Sequence, residues 1–264
     1  SLNFLSGGTD MSLIVTKQKK DLENIIYLNS IDELNYIKDN NKYIEVGATT
    51  PLRKFELFIK KYYSDFNIIL KRYGSVQIRN VATIAGNIAT ASPIGDSLPL
   101  LLSLDASIVI ENFSKKTILP LKNFFISYRK TKLKKGQFIS AIRIPVFKKN
   151  IFKAYKISKR IDDDISSVCA SFNLSIENKK IKNIKIAYGG MAPIPKRATH
   201  CEKTLLNSNF SEEIILKAQK SLEKDFQPIN DMRASKNYRM EIAKNLLMKC
   251  FKEVKENKLI RLNY

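Results

Sequence analysis

The chain has 264 residues, with 46 Lys and Arg against 25 Asp and Glu, so its formal net charge is +21; 44% of its residues are hydrophobic. That hydrophobic share is ordinary for a globular chain, and no apolar run approaches the roughly 18 residues that a membrane span needs. The three cysteines are far apart and form no Cys-x-x-Cys pair, which excludes the usual zinc and iron–sulfur patterns and favours a reducing, cytoplasmic setting. We therefore expect neither a metal site nor a membrane segment.

The excess positive charge raises the question of nucleic-acid binding. Only ten of the cations are Arg and 36 are Lys, scattered in short groups such as KQKK and FKKN. Sparse Arg, with no RRM, KH or zinc-finger pattern, favours a solvated surface, and attraction to acidic partners or an anionic cofactor is a second source of such charge. We expect no nucleic-acid partner, but a basic nucleic-acid-associated protein stays the alternative from a different functional class.

The elements of the first half follow from hydrophobic spacing. Strands are predicted at residues 12–15 and 43–47, and Thr50-Pro51 introduces a helix whose apolar spacing continues over residues 55–74. A loop of small residues at 83–96 is followed by a buried helix in SLPLLLSLD, a hairpin made by ASIVIEN and KKTILPL, and a strand in FISAIRIPV. We end this first domain at residue 147.

The second half has a different order of elements. FKAYKISKR and SVCASFNLSIENKKIKNIKIAYGGM predict strands in succession, with a tight turn at ENKK, so we expect a three-stranded antiparallel sheet. After it, KTLL, SEEIILKAQKSLEKDF and YRMEIAKNLLMKCFKEVKEN carry helical apolar stripes. We assign residues 148–264 to this second domain.

Two segments without Lys or Arg stand out in this basic chain, SGGTD at 6–10 and TIAGNIATASPIGDS at 83–97. Glycines let successive backbone N–H groups converge on an anion, phosphate above all. The second segment offers small side chains against which a bulky ligand can lie, and Asp96 offers an acceptor for ribose or ribityl hydroxyls. Neither segment is a P-loop or a GxGxxG fingerprint. A strand-entry turn and a packed buried turn remain the alternatives for the two.

Longer stretches carry a family resemblance: FLSGGTDMSL, YGSVQIRNVATIAGNIATASPIGDS, FFISYRKT, AYKISKRIDDDISSVCASF, YGGMAPIPKRA and DFQPINDMRASKNYR. They resemble the FAD-binding portion of the molybdenum hydroxylase flavoproteins, and SYRKT, SKRIDDDIS and FQPINDMRAS are similar to its xanthine dehydrogenase members. The resemblance implies an α+β fold: a vanillyl-alcohol-oxidase (PCMH) type FAD-binding domain over residues 1–147, and a small α+β C-terminal domain of the carbon monoxide dehydrogenase flavoprotein type over 148–264. It runs almost from end to end.

The resemblance also implies which residues hold FAD. The backbone of the first segment would cradle the pyrophosphate, through Phe4, Leu5, Ser6, Gly7, Gly8, Thr9, Asp10 and Met11. The other implied cofactor contacts are Tyr73, Gly74, Ile78, Thr83, Gly86, Asn87, Thr90, Ser92, Asp96, Ile139 and Lys156. Among these, the resemblance puts Tyr73 and Gly74 near the isoalloxazine ring and gives Ile139 an apolar ring contact.

Three charged residues are implied to tune the flavin without making or breaking bonds. Lys156 matches a basic residue that touches the flavin, while Arg160 and Asp163 match residues beside the ring, where nicotinamide would approach. A cation near the ring stabilises negative charge that develops on it. From the residues alone, SKRIDDDIS also fits a solvated turn rich in charge.

The implied activity is electron transfer within a xanthine dehydrogenase. A molybdenum cofactor on a large partner subunit would hydroxylate a purine, [2Fe-2S] clusters would carry the electrons to FAD, and NAD+ would accept them. A flavin subunit for an aldehyde, carbon monoxide or nicotinate is the alternative within the same chemistry. Members of this kind begin their FAD domain about thirty residues earlier, so we expect this chain to continue a longer one that carries the [2Fe-2S] domain, or to meet that domain on a separate subunit.

Overall fold

The computed structural model describes residues 2–260, so residue 1 and residues 261–264, at the outer ends of the two predicted domains, lie outside the description. The elements up to residue 147 are, in order, β1 (Asn3–Leu5), α1 (Ser12–Thr16), β2 (Ile25–Tyr27), β3 (Ile37–Asp39), β4 (Tyr43–Gly47), α2 (Leu52–Ile59), α3 (Ser64–Lys71), α4 (Val76–Val81), α5 (Ile84–Thr90), α6 (Ser97–Ser103), β5 (Ser107–Glu111), β6 (Lys116–Pro120), β7 (Phe125–Ser127), β8 (Lys130–Thr131) and β9 (Phe138–Pro145).

Five antiparallel strands make the main sheet of this first part, in the order β3-β4-β9-β5-β6. Apolar residues alternate along β4, and Ile44 and Val46 are fully buried in a core that α2 and α3 complete with Phe55 and Phe66. A separate parallel pair, β1 with β2, precedes this sheet in the chain, and the first glycine-bearing segment directly follows β1.

Between residues 148 and 260, the second part has its own sheet and three α-helices. Its elements are β10 (Ile151–Ile157), β11 (Val168–Glu177), β12 (Lys180–Gly189), β13 (Lys196–Arg197), α7 (Thr199–Leu205), α8 (Glu212–Asp225) and α9 (Lys236–Glu256). The sheet is antiparallel in the order β10-β11-β12-β13. Asn178 and Lys179, between β11 and β12, both take positive φ, which is the geometry of a two-residue type I′ hairpin.

Helix α6 belongs to the first part and packs against the sheet of the second part. All seven of its residues are buried. The Ser103 hydroxyl lies 2.6 Å from that of Ser171 on β11, and the Asn173 side chain donates to the Ser103 carbonyl at 3.1 Å. Residues at this boundary are therefore positioned by both parts. None of the helices within residues 2–260 is long and apolar enough to cross a membrane, and no group of three or more His, Cys, Asp or Glu there could hold a metal ion.

The α+β class is confirmed, as are the strands at 43–47 and 107–111, the strand in FISAIRIPV and the ENKK turn. The strand predicted at 12–15 is wrong: the segment is helix α1. Gly8 turns the chain with φ +71°, its carbonyl accepts from the Ser12 N–H at 2.9 Å, and the following apolar residues continue the helical turn. An apolar run this short does not distinguish helix from strand.

Three other expectations are corrected. The helix over 55–74 is broken between Ile59 and Ser64, because Tyr63 turns inward and donates its hydroxyl to the Pro145 carbonyl at 2.7 Å. The loop at 83–96 contains helix α5, which buries Ile84 and Ile88. The second sheet has a fourth strand, β13, which is only two residues long and which hydrophobic spacing could not indicate.

Candidate functional site

The first loop, residues 6–11, connects β1 to α1. A Cβ on Gly7 would meet the Val81 carbonyl oxygen at 2.1 Å, so only glycine lets this loop lie against the residues that lead into α5. Gly8 has room beside it but a φ of +71°. The Ser6 hydroxyl donates to the Asn29 side chain at 3.1 Å and holds the start of the loop.

The backbone donors of this loop are not used by the protein. Within residues 2–260, the N–H groups of Gly7, Gly8, Thr9 and Asp10 donate to no protein acceptor, whereas those of Ser12, Leu13 and Ile14 do. Gly7, Gly8 and Thr9 are half-buried and Asp10 is exposed, so a ligand can reach these donors. Successive free donors on a glycine-bearing turn suit an anion such as a phosphate.

The second segment, residues 83–96, contributes α5 and the turn after it. Thr83 is the N-cap of α5, and its hydroxyl oxygen accepts from the Gly86 N–H at 3.0 Å, so part of its hydrogen-bonding capacity stabilises the helix itself. Asn87 donates to the Tyr73 hydroxyl at 3.0 Å and accepts from Ser97. This side chain therefore ties the turn at Tyr73 to the start of α6.

Tyr73 and Gly74 form a turn that a buried ion pair supports. Arg79 donates to the Glu56 carboxylate at 3.0 Å and also to the carbonyl groups of Tyr73 and Gly74. Burial raises the pKa of Tyr73, and the carboxylates of Asp96 and then Asp10 raise it further, so both glycine-bearing segments act on this hydroxyl.

Asp96 and Lys156 form a second buried ion pair, across the boundary between the two parts. The Lys156 ammonium lies 2.7 Å from one Asp96 oxygen, and their side chains are only 1% and 7% exposed. The other Asp96 oxygen accepts from Ser166, and Lys156 also donates to the Arg72 carbonyl at 2.9 Å. Both carboxylate oxygens of Asp96 thus already have partners in the protein.

The 158–165 loop carries the other two charged residues of the predicted site. Arg160 is 74% exposed and pairs with Asp164 at 3.5 Å, while Asp163 is exposed at φ +48° and forms no ion pair within residues 2–260. The Arg160 N–H donates to Asp164 at 2.8 Å and lowers the pKa of that carboxyl. Arg160 therefore pairs with Asp164, and the exposed Asp163 takes no part in that pair.

The remaining predicted residues lie on strands, helices and turns and form no ion pairs within residues 2–260. Ile139 is buried at 4% exposure in β9, opposite Ile110 of β5, while Ile78 on α4 is 38% exposed. The Phe4 ring packs 5.2 Å from Phe138, at the start of β9. Leu5 ends β1, Met11 is the N-cap of α1, Thr90 ends α5 and Ser92 accepts from the Ile94 N–H at 3.4 Å.

Four side chains that organise this region were not among the predicted residues: Arg72, Arg79, Asp164 and Ser166. Each acts through a contact between segments far apart in the chain or through a local turn. Hydrophobic spacing gives no sign of such contacts. The one available signal was position, since Arg79, Asp164 and Ser166 lie inside the motifs that carry the resemblance, and Arg72 directly precedes one of them.

These observations fit FAD as the ligand. The first loop offers free backbone donors for a pyrophosphate, and its glycine packing sets it directly beside the second segment. The second segment carries small and neutral side chains, and Asn87 ties it to the Tyr73–Gly74 turn by a hydrogen bond to the Tyr73 hydroxyl.

Comparison with known proteins decides the family. Residues 1–147 match the family described as the FAD binding domain in molybdopterin dehydrogenase, and residues 153–254 match the CO dehydrogenase flavoprotein C-terminal domain. The chain belongs to the flavoproteins of the molybdenum hydroxylases. It is thus the FAD-binding portion of an oxidoreductase, and FAD is the cofactor of its family.

Several relatives of this flavoprotein are curated proteins. It is 33% identical over 238 residues to a xanthine dehydrogenase of Emericella nidulans, a match that covers 84% of this chain but only 18% of that protein's length. It is 29% identical over 255 residues to the glyceraldehyde dehydrogenase medium chain of Sulfolobus acidocaldarius, covering 95% of this chain and 89% of the relative. A nicotinate hydroxylase of Emericella nidulans is 39% identical over 153 residues, which is 56% of this chain and 11% of the relative.

Solved structures confirm the fold of the flavoprotein. Carbon monoxide dehydrogenase from Hydrogenophaga pseudoflava superposes with a TM-score of 0.88 at 23% identity, over 93% of this chain and 86% of the other. Quinoline 2-oxidoreductase from Pseudomonas putida 86 gives a TM-score of 0.88 at 18% identity, over 98% of this chain and 91% of the other. At these identities the likeness concerns the fold and not the substrate.

Proposed function

We propose that this chain is the FAD-carrying, electron-transfer portion of a xanthine dehydrogenase, with purines such as xanthine and hypoxanthine as the substrates oxidised at the partner's molybdenum cofactor. Bound FAD would take electrons from [2Fe-2S] clusters and pass them as hydride to NAD+. The residues of this chain would bind and orient the cofactor, exclude water from it and shape the approach of the acceptor.

The observation that supports this proposal most is the pairing of the two glycine-bearing segments. Gly7 lies against Val81, just before the second segment. The loop that contains Gly7 has four backbone N–H groups without protein acceptors within residues 2–260. We assign the pyrophosphate to these donors and the ring to the side of the Tyr73–Gly74 turn. The xanthine dehydrogenase type is favoured by the 33% identity over 84% of this chain and by the SKRIDDDIS and FQPINDMRAS motifs.

The charged residues have graded roles in this proposal. Lys156 would contribute a positive charge near the flavin, but Asp96 balances it, so the pair mainly fixes the geometry of the boundary. Arg160 and Asp163, which are exposed, would act on the nicotinamide side. The large molybdenum subunit and a [2Fe-2S] domain are the proposed protein partners, in the cytoplasm.

A second function is favoured by a specific observation. The glyceraldehyde dehydrogenase medium chain is a relative whose own length this chain nearly spans, at 89%, whereas the chain spans only 18% of the xanthine dehydrogenase. A flavin subunit of an aldehyde-oxidising enzyme, or of a nicotinate or carbon monoxide enzyme, therefore stands as the alternative.

The test uses the purified native complex. Mass analysis of the released cofactor should give FAD, and the complex should reduce NAD+ with xanthine or hypoxanthine but not with aldehydes, nicotinate or carbon monoxide. FMN as the cofactor contradicts the assignment of the pyrophosphate. Activity with an aldehyde alone replaces the purine proposal by the alternative.

The nucleic-acid alternative is decided by the same sample. A flavoprotein shows visible flavin absorbance, and we expect any affinity for RNA or DNA to collapse between low and physiological salt, because scattered Lys supplies only phosphate neutralisation. Tight, sequence-dependent binding at physiological salt, in a sample without flavin absorbance, would support the alternative.

A further inference from the structure

Arg72 is a residue of the boundary that neither the motifs nor the relatives single out. It follows α3 directly and immediately precedes the Tyr73–Gly74 turn. Its guanidinium reaches across to the second part and makes three hydrogen bonds there. Nε donates to the Ile161 carbonyl at 2.9 Å, Nη1 to the Lys156 carbonyl at 2.9 Å and Nη2 to the Ser158 hydroxyl at 3.1 Å.

All three acceptors belong to the 158–165 loop or to the residue that leads into it. Within residues 2–260, Arg72 forms no ion pair with a carboxylate, so its contacts serve geometry more than charge balance. A planar guanidinium can reach three acceptors at fixed angles, which a lysine ammonium on a flexible stem cannot reproduce. In the other direction, the Lys156 ammonium donates a hydrogen bond to the Arg72 carbonyl at 2.9 Å.

The far end of the same loop is held by a second arginine. Arg239 on α9 is buried and donates to the carbonyl groups of Ser167 and Gly190, and to Asp231 at 2.7 Å. Lys159 also donates to the Met232 carbonyl at 2.9 Å. Arg239 anchors the loop within the second part, whereas Arg72 is the anchor that connects it to the first part.

The tip of the loop between these anchors faces solvent. Arg160, Ile161 and Asp163 are exposed, although the backbone that carries them is fixed from both sides. Arg72 is one residue away from Tyr73 in the chain, and Arg79 fixes that turn through its carbonyls. A displacement of Arg72 therefore changes the distance between the loop and the turn.

We propose that Arg72 is a positioning residue that holds the 158–165 loop at a set distance from the Tyr73–Gly74 turn, and that this placement controls how the electron acceptor reaches the flavin. The part about the acceptor rests on the proposed function. The part about the loop rests only on the hydrogen bonds of Arg72.

The experiment compares Arg72→Ala, Arg72→Lys and Ser158→Ala in the assembled, flavin-loaded complex. Arg143→Ala is the matched control, because Arg143 pairs with Glu45 on the main sheet and contacts none of this loop. Hydrogen exchange of peptides that cover residues 158–165 reports the loop directly. NAD+ reduction is measured beside the activity with a dye that takes electrons upstream of the flavin.

We expect amide exchange in the loop to rise about tenfold in both Arg72 variants, less in Ser158→Ala and not at all in the control. The KM for NAD+ should rise about fivefold or more, while flavin content and dye activity stay within about twofold of the wild type. Arg72→Lys should resemble Arg72→Ala, since it keeps the charge and loses the fork.

Two results overturn the proposal. Unchanged exchange in both Arg72 variants shows that the arginine does not hold the loop, and raised exchange with unchanged acceptor kinetics shows that the loop does not control access. If the wild type fails to reduce NAD+, the proposed function fails separately, and the rate at which oxygen or ferricyanide reoxidises the reduced protein then decides the role of Arg72. If Arg72→Ala does not assemble, Arg72→Lys and Ser158→Ala decide it.

Discussion

Two ion pairs of this flavoprotein have opposite surroundings. Asp96–Lys156 is buried at the boundary and each partner has a further hydrogen bond, while Arg160–Asp164 lies on an exposed loop with the arginine 74% exposed. The first pair fixes where two halves of the molecule meet. The second leaves its charges available to whatever approaches from solvent. Residues predicted from one motif to share a role therefore divide into Lys156, which is buried in the boundary, and Arg160 and Asp163, which are exposed to solvent.

The largest expected effect comes from breaking the buried pair. Lys156→Ala leaves the Asp96 carboxylate buried with Ser166 as its remaining side-chain donor, which should lower the free energy of unfolding by about 3–5 kcal/mol. Replacing both partners by apolar residues, as in Lys156→Met with Asp96→Leu, should recover part of that loss. Denaturant unfolding of the variants measures both.

The exposed Lys182 on β12 supplies the control for that experiment. Lys182→Ala removes the same functional group from a side chain that has no hydrogen bond or ion pair within residues 2–260, and its unfolding midpoint should match the wild type. A Lys156→Ala variant as stable as Lys182→Ala would show that the buried pair does not hold the boundary.

The next effect concerns the first loop. In Gly7→Ala the new Cβ would lie 2.1 Å from the Val81 carbonyl oxygen, so the loop must move away from the second segment. We expect flavin affinity to fall by about tenfold or more, which corresponds to about 1.4 kcal/mol. Titration of the deflavinated complex with FAD measures it. Wild-type affinity in a folded Gly7→Ala variant would separate the loop from cofactor binding.

The sequence predicts those parts of the fold and of the candidate site that depend on local residue patterns. The strand at 43–47, the ENKK hairpin and the buried helix in SLPLLLSLD follow from spacing and turn chemistry, and the resemblance supplied the family and its cofactor. The break near Tyr63 could not be predicted, since it depends on a hydroxyl that reaches Pro145, 82 residues away. The pairing of Asp96 with Lys156 likewise depends on a tertiary contact, whereas the pairing of Arg160 with Asp164 rather than Asp163 depends on the conformation of an irregular loop.

A smaller effect should come from Gly8→Ala. The position has room for a Cβ, with only Leu5 at 3.4 Å, but a non-glycine residue at φ +71° is strained by roughly 1–2 kcal/mol. Gly136, at φ +76° with nothing within 4 Å of its Cβ, gives a control with the same strain on a different loop. Both variants should lose similar stability, and only Gly8→Ala should lose flavin. Equal flavin content in the two would mean that Gly8 serves the turn alone.

The smallest effect on folding should come from the exposed residues. Arg160→Ala and Asp163→Ala should leave the thermal midpoint of the complex at its wild-type value, because neither side chain is buried and Asp164 keeps its bonds to the backbone of the loop. NAD+ reduction should nevertheless fall in both, while activity with a dye that accepts electrons upstream of the flavin persists. A loss of dye activity equal to the loss with NAD+, in complexes that retain flavin and clusters, contradicts the role on the acceptor side. The same kinetic test on Lys156→Ala would be ambiguous, because that change disturbs the boundary on which the flavin site is built. Arg160 and Asp163 are therefore the positions at which kinetics can report on the approach of the acceptor without a contribution from folding.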